Sequence, residues 1–135
     1  MPVIYIMDSS AMIAYIWNEN GAEAVKKIFK DSNNNCFIHV LNLCEVYYDL
    51  IKRAGEVEAK EALKEIYTLV TVRYDIENDV WQMAGKYKAE LHRISLADCF
   101  CITLAKITGG TVVTSDHHEL EKIKTLGIVP VYFIR

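Results

Sequence analysis

Five apolar residues, Val3-Ile4-Tyr5-Ile6-Met7, run without interruption into Asp8-Ser9-Ser10, and this junction restricts the fold more than any other stretch of the chain. A continuous β-branched and aromatic run, with no polar alternation, suits a strand buried on both faces, as in a parallel sheet. Asp-Ser-Ser directly after it has the composition of a helix N-cap, whose side-chain oxygens accept hydrogen bonds from free amides. A carboxylate therefore falls at the C-terminal end of a strand, where open α/β sheets bind their ligands.

The same junction recurs late in the chain. Thr111-Val112-Val113-Thr114 follows Gly109-Gly110 and runs into Ser115-Asp116 and a helical pattern through Leu120 and Ile123. Between the two junctions, a helix over about residues 10–17 breaks near Asn18-Glu19-Asn20-Gly21, and an amphipathic one follows through Val25, Ile28 and Phe29. Residues 36–40 read as a short strand. Leu43, Val46, Tyr47, Leu50 and Ile51 then recur at helical spacing up to Arg53-Ala54-Gly55, a glycine C-cap, with Glu45 in the first turn. Residues 56–69 predict a helix, 70–74 a strand and 76–91 a helix. Ser95-Leu96-Ala97-Asp98 opens another, apolar on nearly every side from Cys99 to Ala105 and so central and buried; residues 128–134 supply the last strand. Strands alternating with helices predict a three-layer α/β/α fold around a parallel sheet.

Composition narrows the function classes. Of 135 residues, 52% are hydrophobic and 24% charged, with two prolines and six glycines, which suits one compact domain over 1–135 rather than a disordered or linker-rich chain. Cys36, Cys44, Cys99 and Cys101 lack the paired spacing of a zinc site and lie in apolar stretches, so they read as buried, reduced thiols. The N-terminal apolar run is short and without a charged leader, and no segment approaches the roughly 20 apolar residues of a membrane span. A cytoplasmic protein is expected. The net charge of −3 opposes a simple phosphate-binding surface, so any nucleic-acid role requires metal ions and local basic patches to offset it.

Asp8 and Asp116 directly follow strands, and Glu45 and Asp98 open helices. If the four carboxylates converge, they repel one another and bind protons more tightly unless a cation neutralises them. An all-oxygen set without a His/Cys cluster suits Mg²⁺ or Mn²⁺ rather than zinc. The matching reaction class is metal-assisted phosphodiester hydrolysis by an activated water. Taken one at a time, Asp8, Asp98 and Asp116 are also ordinary N-terminal helix residues, and Glu45 an ordinary solvated glutamate; the joint placement is what points to a site. Tyr5, Tyr15, Trp17, Tyr47, Tyr48, Tyr67 and Trp81 read as core or interface residues. Lys26, Lys27, Lys52, Arg53, Lys86, Lys88 and Arg93 read as solvated helix faces. His117 and His118 have no assigned role.

Asp8-Ser9-Ser10-Ala11, the Glu45 of Asn42-Leu43-Cys44-Glu45-Val46, Ser95-Leu96-Ala97-Asp98 and Thr114-Ser115-Asp116 occur in the order found in PIN-domain nucleases, and the chain resembles that family over essentially its whole length. The resemblance implies a central five-stranded parallel sheet, an acidic site of Asp8, Glu45, Asp98 and Asp116 holding Mg²⁺ or Mn²⁺, and endonucleolytic cleavage of RNA leaving a 5′-phosphate. It also implies that Ser10 and Ser115 orient a carboxylate or a water, with Glu119 as an additional acid. In length the chain is most similar to the VapC-type toxin ribonucleases, which implies a small antitoxin partner filling the crevice; a homodimer is also expected. A receiver-like phosphoacceptor would need adjacent acids after the first strand, and a HAD-type phosphatase an acid at Ser10; neither is present. A catalytically inactive PIN-like RNA- or protein-binding module and a stand-alone RNA-processing nuclease remain as alternatives.

Overall fold

The structure is a computed structural model describing residues 2–135. In chain order its elements are β1 (Val3–Met7), α1 (Ser9–Ile16), α2 (Ala22–Lys30), β2 (Asn34–His39), α3 (Val40–Ala54), α4 (Glu56–Leu69), β3 (Thr71–Arg73), α5 (Asn78–Leu91), α6 (Leu96–Thr108), β4 (Thr111–Thr114), α7 (His117–Thr125) and β5 (Val131–Phe133). All strand pairings are parallel, in the order β3-β2-β1-β4-β5. The chain winds from β1 out to β3, then crosses to β4 on the other side of β1. The β1/β4 pair is thus the topological switch point, where the connections diverge and leave a crevice beyond the strand ends.

Period-two alternation along the strands divides the apolar residues between two cores. Ile6, Val112 and Val131 pack with residues of α5, α6 and α7 on one face. Met7, Ile38 and Val113 pack with residues of α1, α2, α3 and α4 on the other. The three-layer α/β/α arrangement with its five-stranded parallel sheet is the one the alternating pattern predicts. Helix α6 is buried from Asp98 through Ala105, which is why its sequence shows no polar stripe.

The boundaries differ in instructive places. Strand β1 is not buried along its whole length: Val3 is 45% exposed while Ile6 and Met7 are fully covered. Its pairing with β4 begins only at Tyr5, opposite Thr111, so the first residues lack a neighbour on that side. Strand β2 begins at Asn34, opposite Val3, and ends at His39. His39 caps α3 through its ring nitrogen, so the helix begins at Val40, earlier than the apolar spacing indicates. Glu45 therefore lies in the second turn of α3, not the first. Helix α5 starts at Asn78, leaving Ile76 exposed, and β5 is confined to three residues. Cys99 and Cys101 are buried, but Cys36 is only partly covered and Cys44 is exposed, because Cys44 lies off the α3 stripe formed by Leu43, Val46 and Leu50. Among the described residues, no helix is long and apolar enough to cross a membrane.

The break between α1 and α2 depends on Gly21, which caps α2 at φ +98°. A Cβ there would lie 2.8 Å from Ile134 Cγ1 and 2.9 Å from the Ile134 carbonyl oxygen. Gly21→Ala combines a strained left-handed backbone with a backbone clash. We expect it to cost about 2–3 kcal/mol and to lower Tm by roughly 5–10 °C in a thermal melt. An unchanged Tm would contradict this packing.

Candidate metal centre

Asp8 ends β1 and caps α1. One carboxylate oxygen accepts from the Ser10 hydroxyl at 2.7 Å and from the Ala11 amide at 2.9 Å; the other accepts from the Thr114 hydroxyl at the end of β4. The side chain is almost fully buried. Burial pushes its pKa up to about 6, opposed by the bonds from Thr114, Ala11 and Ser10 and reinforced by the nearby charge of Asp116. The Thr114 hydroxyl also accepts from the Asp116 amide at 2.9 Å, and the Ser10 hydroxyl accepts from the Ser115 amide at 2.9 Å. Two hydroxyls thus stitch the β1 and β4 junctions together across the switch point.

Asp98, in the first turn of α6, and Asp116 and Glu119, at the start of α7, come closest to one another: each offers a carboxylate oxygen within 4.8 Å of those of the other two. Local capping explains the convergence. The Ser95 hydroxyl accepts from the Asp98 amide at 3.1 Å, and Asp116 accepts from the Glu119 amide at 3.0 Å. Glu119 in turn accepts from the Ser95 amide at 2.9 Å. The caps of α6 and α7 are therefore joined, which draws their acids together. Asp98 is buried, and its carboxyl is pushed up to about 10, chiefly by loss of solvent, then by sharing its proton with Glu119 and by the charges of Asp8, Glu119 and Glu45. The proton is held by the Asp98–Glu119 pair more tightly than by an ordinary carboxyl.

Glu45 approaches from α3. Its pKa is raised, first by burial and also by the charge of Glu119, against lowering contacts from Ser9 and Asn42. Asn42, one turn earlier on the same helix, places its amino nitrogen 3.5 Å from Glu45 Oε1 and 3.5 Å from Asp98 Oδ1. The four acids singled out in the sequence thus come to one end of the sheet, but only two of them lie in the tight cluster. Asp98 and Asp116 form a tight trio with Glu119, while Asp8 is held by two hydroxyls and a backbone amide, and Glu45 is tethered through Asn42. Glu119, expected as an additional acid, lies within the trio itself.

Ser10 holds Asp8 as a hydroxyl neighbour. Ser115 differs from expectation: it contributes its backbone amide, and the second hydroxyl on Asp8 belongs to Thr114. Thr114 and Asn42 were not singled out in the sequence. The one signal for Thr114 was its place as the last β4 residue before Ser-Asp; for Asn42 it was the one-turn spacing to Glu45. His117 packs flat on Phe133, with ring centroids 3.9 Å apart, and its nitrogens contact Glu121 and the Arg135 carbonyl at 2.7 Å each. It fastens α7 to the chain after β5. Tyr5, Tyr15, Trp17 and Tyr47 are partly buried, as packing residues should be, whereas Tyr48, Tyr67 and Trp81 are at least half exposed.

The donor set is all oxygen, partly desolvated and short of positive charge, and it fits a hard divalent cation better than a soft one. Crowding of this kind makes carboxyls bind protons more tightly, and a divalent cation bound among them would act in the opposite direction.

Comparison with known proteins follows the same lines. The family model described as the PIN domain matches residues 5–126. No curated protein matches the sequence. Among solved structures, VapBC2 from Rickettsia felis bound to a DNA fragment from their promoter aligns with a TM-score of 0.74 at 17% identity, covering 97% of this chain and 98% of that one. DNA-bound VapBC from Salmonella typhimurium aligns at 0.73 and 16% identity, covering 98% and 99%. VapC20 from Mycobacterium tuberculosis, described as a Sarcin-Ricin loop cleaving toxin, aligns at 0.71 and 16% identity, covering 93% and 96%. At these identities the structures speak for the fold, and the family match extends over most of the sequence: the chain belongs to the PIN domain family.

Proposed function

We propose that this protein is a divalent-metal-dependent endoribonuclease, the toxin of a toxin–antitoxin pair. The observation that carries the reading is the convergence of Asp98, Asp116 and Glu119 within 4.8 Å, beside a nearly buried Asp8. Such crowding is costly for a fold unless a cation offsets it. Asp98, Asp116 and Asp8, with Glu45 at the edge, are the residues we assign to hold Mg²⁺ or Mn²⁺. A bound ion supplies the Lewis acidity for attack of water on a phosphodiester and for the charge on the leaving oxygen.

The chain's own residues do the rest. Ser10 and Thr114 hold the Asp8 carboxylate in one orientation beside the trio, which limits the rearrangement that ion binding would require. The joined caps of α6 and α7 fix the spacing of Asp98 and Asp116. To act as a charged ligand, Asp98 would have to release the proton that it shares with Glu119. Support for RNA as substrate and for an antitoxin partner comes from the relatives, VapC20 being described as a Sarcin-Ricin loop cleaving toxin and others as VapBC complexes. A homodimer, a cytoplasmic location and one functional domain over 1–135 complete the proposal. The intact acidic set favours an active enzyme over an inactive binding module.

Three outcomes are expected. Saturating Mn²⁺ at pH 7.5, about 100-fold above its Kd, stabilises the fold by about 2.7 kcal/mol, and Asp98→Asn or Asp116→Asn removes most of the resulting rise in Tm. Single-stranded and structured RNA are cleaved in Mg²⁺ or Mn²⁺, cleavage stops in EDTA, and either substitution lowers the rate by roughly 100-fold or more. Cleavage indifferent to chelation would overturn the mechanism.

The third outcome concerns pH. The folded pKa of Asp8, about 6, lies above its ordinary value of 3.8. Its proton therefore stabilises the ion-free fold fully below 3.8, and that contribution is lost as pH rises through 6. The proton shared by Asp98 and Glu119, held across this window, adds a trend of the same sign. In EDTA, Tm is expected to rise as pH is lowered from 7.5 to 5, and Asp8→Asn to flatten part of that rise. The Mn²⁺-induced rise in Tm is expected to shrink over the same interval, because protons and the ion compete for the same oxygens. A Tm in EDTA that falls with acidification across this range would contradict the assignment.

A further inference from the structure

We infer that Asn42 is the positioning residue that joins Glu45 to the other acids, an inference that rests on the ion-site reading above. Its side chain is fully buried, an environment in which an asparagine is costly unless all its polar atoms are paired. Pairing here is one-sided. The amino nitrogen lies at the same distance, 3.5 Å, from a Glu45 oxygen and an Asp98 oxygen. The carbonyl oxygen has no hydrogen-bond partner, and it is the one buried side-chain atom among the described residues of which this is true.

A residue selected by packing alone would be apolar at this position. Asn42 follows Leu41 and precedes Leu43 in the first turn of α3, and an isosteric leucine would leave no orphaned acceptor. What asparagine adds is two N–H bonds on one nitrogen, placed between carboxylates from two different helices. Each N–H presents partial positive charge to a carboxylate, so the amide offsets part of the repulsion between α3 and α6 without adding a net charge. Because it donates only, this end of the amide favours the ionised forms that an incoming cation requires. Glu45 has no comparable anchor to the trio: its other neighbour is Ser9, on α1. Without Asn42, the glutamate is free to turn toward solvent along α3.

The role predicts opposite effects on fold and on ion binding, which a purely structural residue would not produce. Mn²⁺ affinity is measured by calorimetry, and ion-free Tm by thermal melting, for wild type, Asn42→Leu, Asn42→Thr, Glu45→Gln and the Asn42→Leu/Glu45→Gln double variant, with Asp98→Asn as control. Asn42→Leu is expected to keep or raise the ion-free Tm while weakening Mn²⁺ binding about 10- to 100-fold. Asn42→Thr, smaller and with one hydroxyl donor, is expected to weaken binding by less than tenfold and keeps the test open if leucine is too bulky to fold. The double variant is expected to lose less affinity than the product of the single losses, because both changes break one connection. Wild-type-like Mn²⁺ affinity in both Asn42 variants, with Asp98→Asn impaired, would overturn the role of Asn42 and leave the ion site standing. Independent losses in the double variant would overturn it too. Absence of Mn²⁺ binding by the wild type, or undiminished binding by Asp98→Asn, would overturn the ion site and this inference together.

Discussion

Repulsion among carboxylates in a partly buried crevice is the constraint around which the rest of this structure is arranged. Asp8 and Asp98 are nearly buried, and each feels the charge of other acids brought from distant parts of the chain. Desolvation alone disfavours an ionised carboxylate, and like charges nearby add to the penalty. The fold tolerates this only because neighbours answer it locally. Hydroxyls and an amide hold Asp8, a shared proton links Asp98 to Glu119, and the Asn42 amide faces two acids at once. The hydrogen bonds lower the cost without removing charge, the retained proton removes one negative charge, and a divalent ion would offset the rest.

The sheet topology explains why the acids meet there. Winding from β1 to β3 and then crossing to β4 leaves the carboxyl ends of β1 and β4 side by side, with α1 and α7 departing from them. Asp8 and Asp116 cap these two helices, so each acid is fixed by the helix it starts. The buried α6 carries Asp98 into the same space, and the Ser95–Glu119 bond fixes that helix to α7. Capping, usually a local stabilising device, is here also the means of placing charge. This is why each acid, inspected singly, is indistinguishable from an ordinary cap.

That ambiguity set the limit on what could be read from the sequence. The layered fold was legible because the apolar runs of β1 and β4 and the continuous burial of α6 leave strong one-dimensional signals. Asp8, Asp98 and Asp116 were legible from their positions beside strands and helix starts. Thr114 and Asn42 were not, because a strand-ending threonine and a helical asparagine carry no pattern until their partners, 106 and 56 residues away, are in place. The turn assigned to Glu45 was misjudged for a related reason: a histidine cap at His39 starts α3 ahead of its apolar stripe. The hydroxyl on Asp8 comes from Thr114 rather than Ser115 because adjacent residues at a strand end point in different directions, and spacing alone does not say which hydroxyl faces the neighbouring strand.

If the crevice is built for a cation, loading it should displace the proton that Asp98 shares with Glu119. Calorimetric titration of Mn²⁺ at pH 7, repeated in two buffers of different ionisation enthalpy, counts the protons released per ion bound. The account predicts release of about one proton, falling toward zero in Asp98→Asn. Binding of Mn²⁺ with no proton released by the wild type would contradict it.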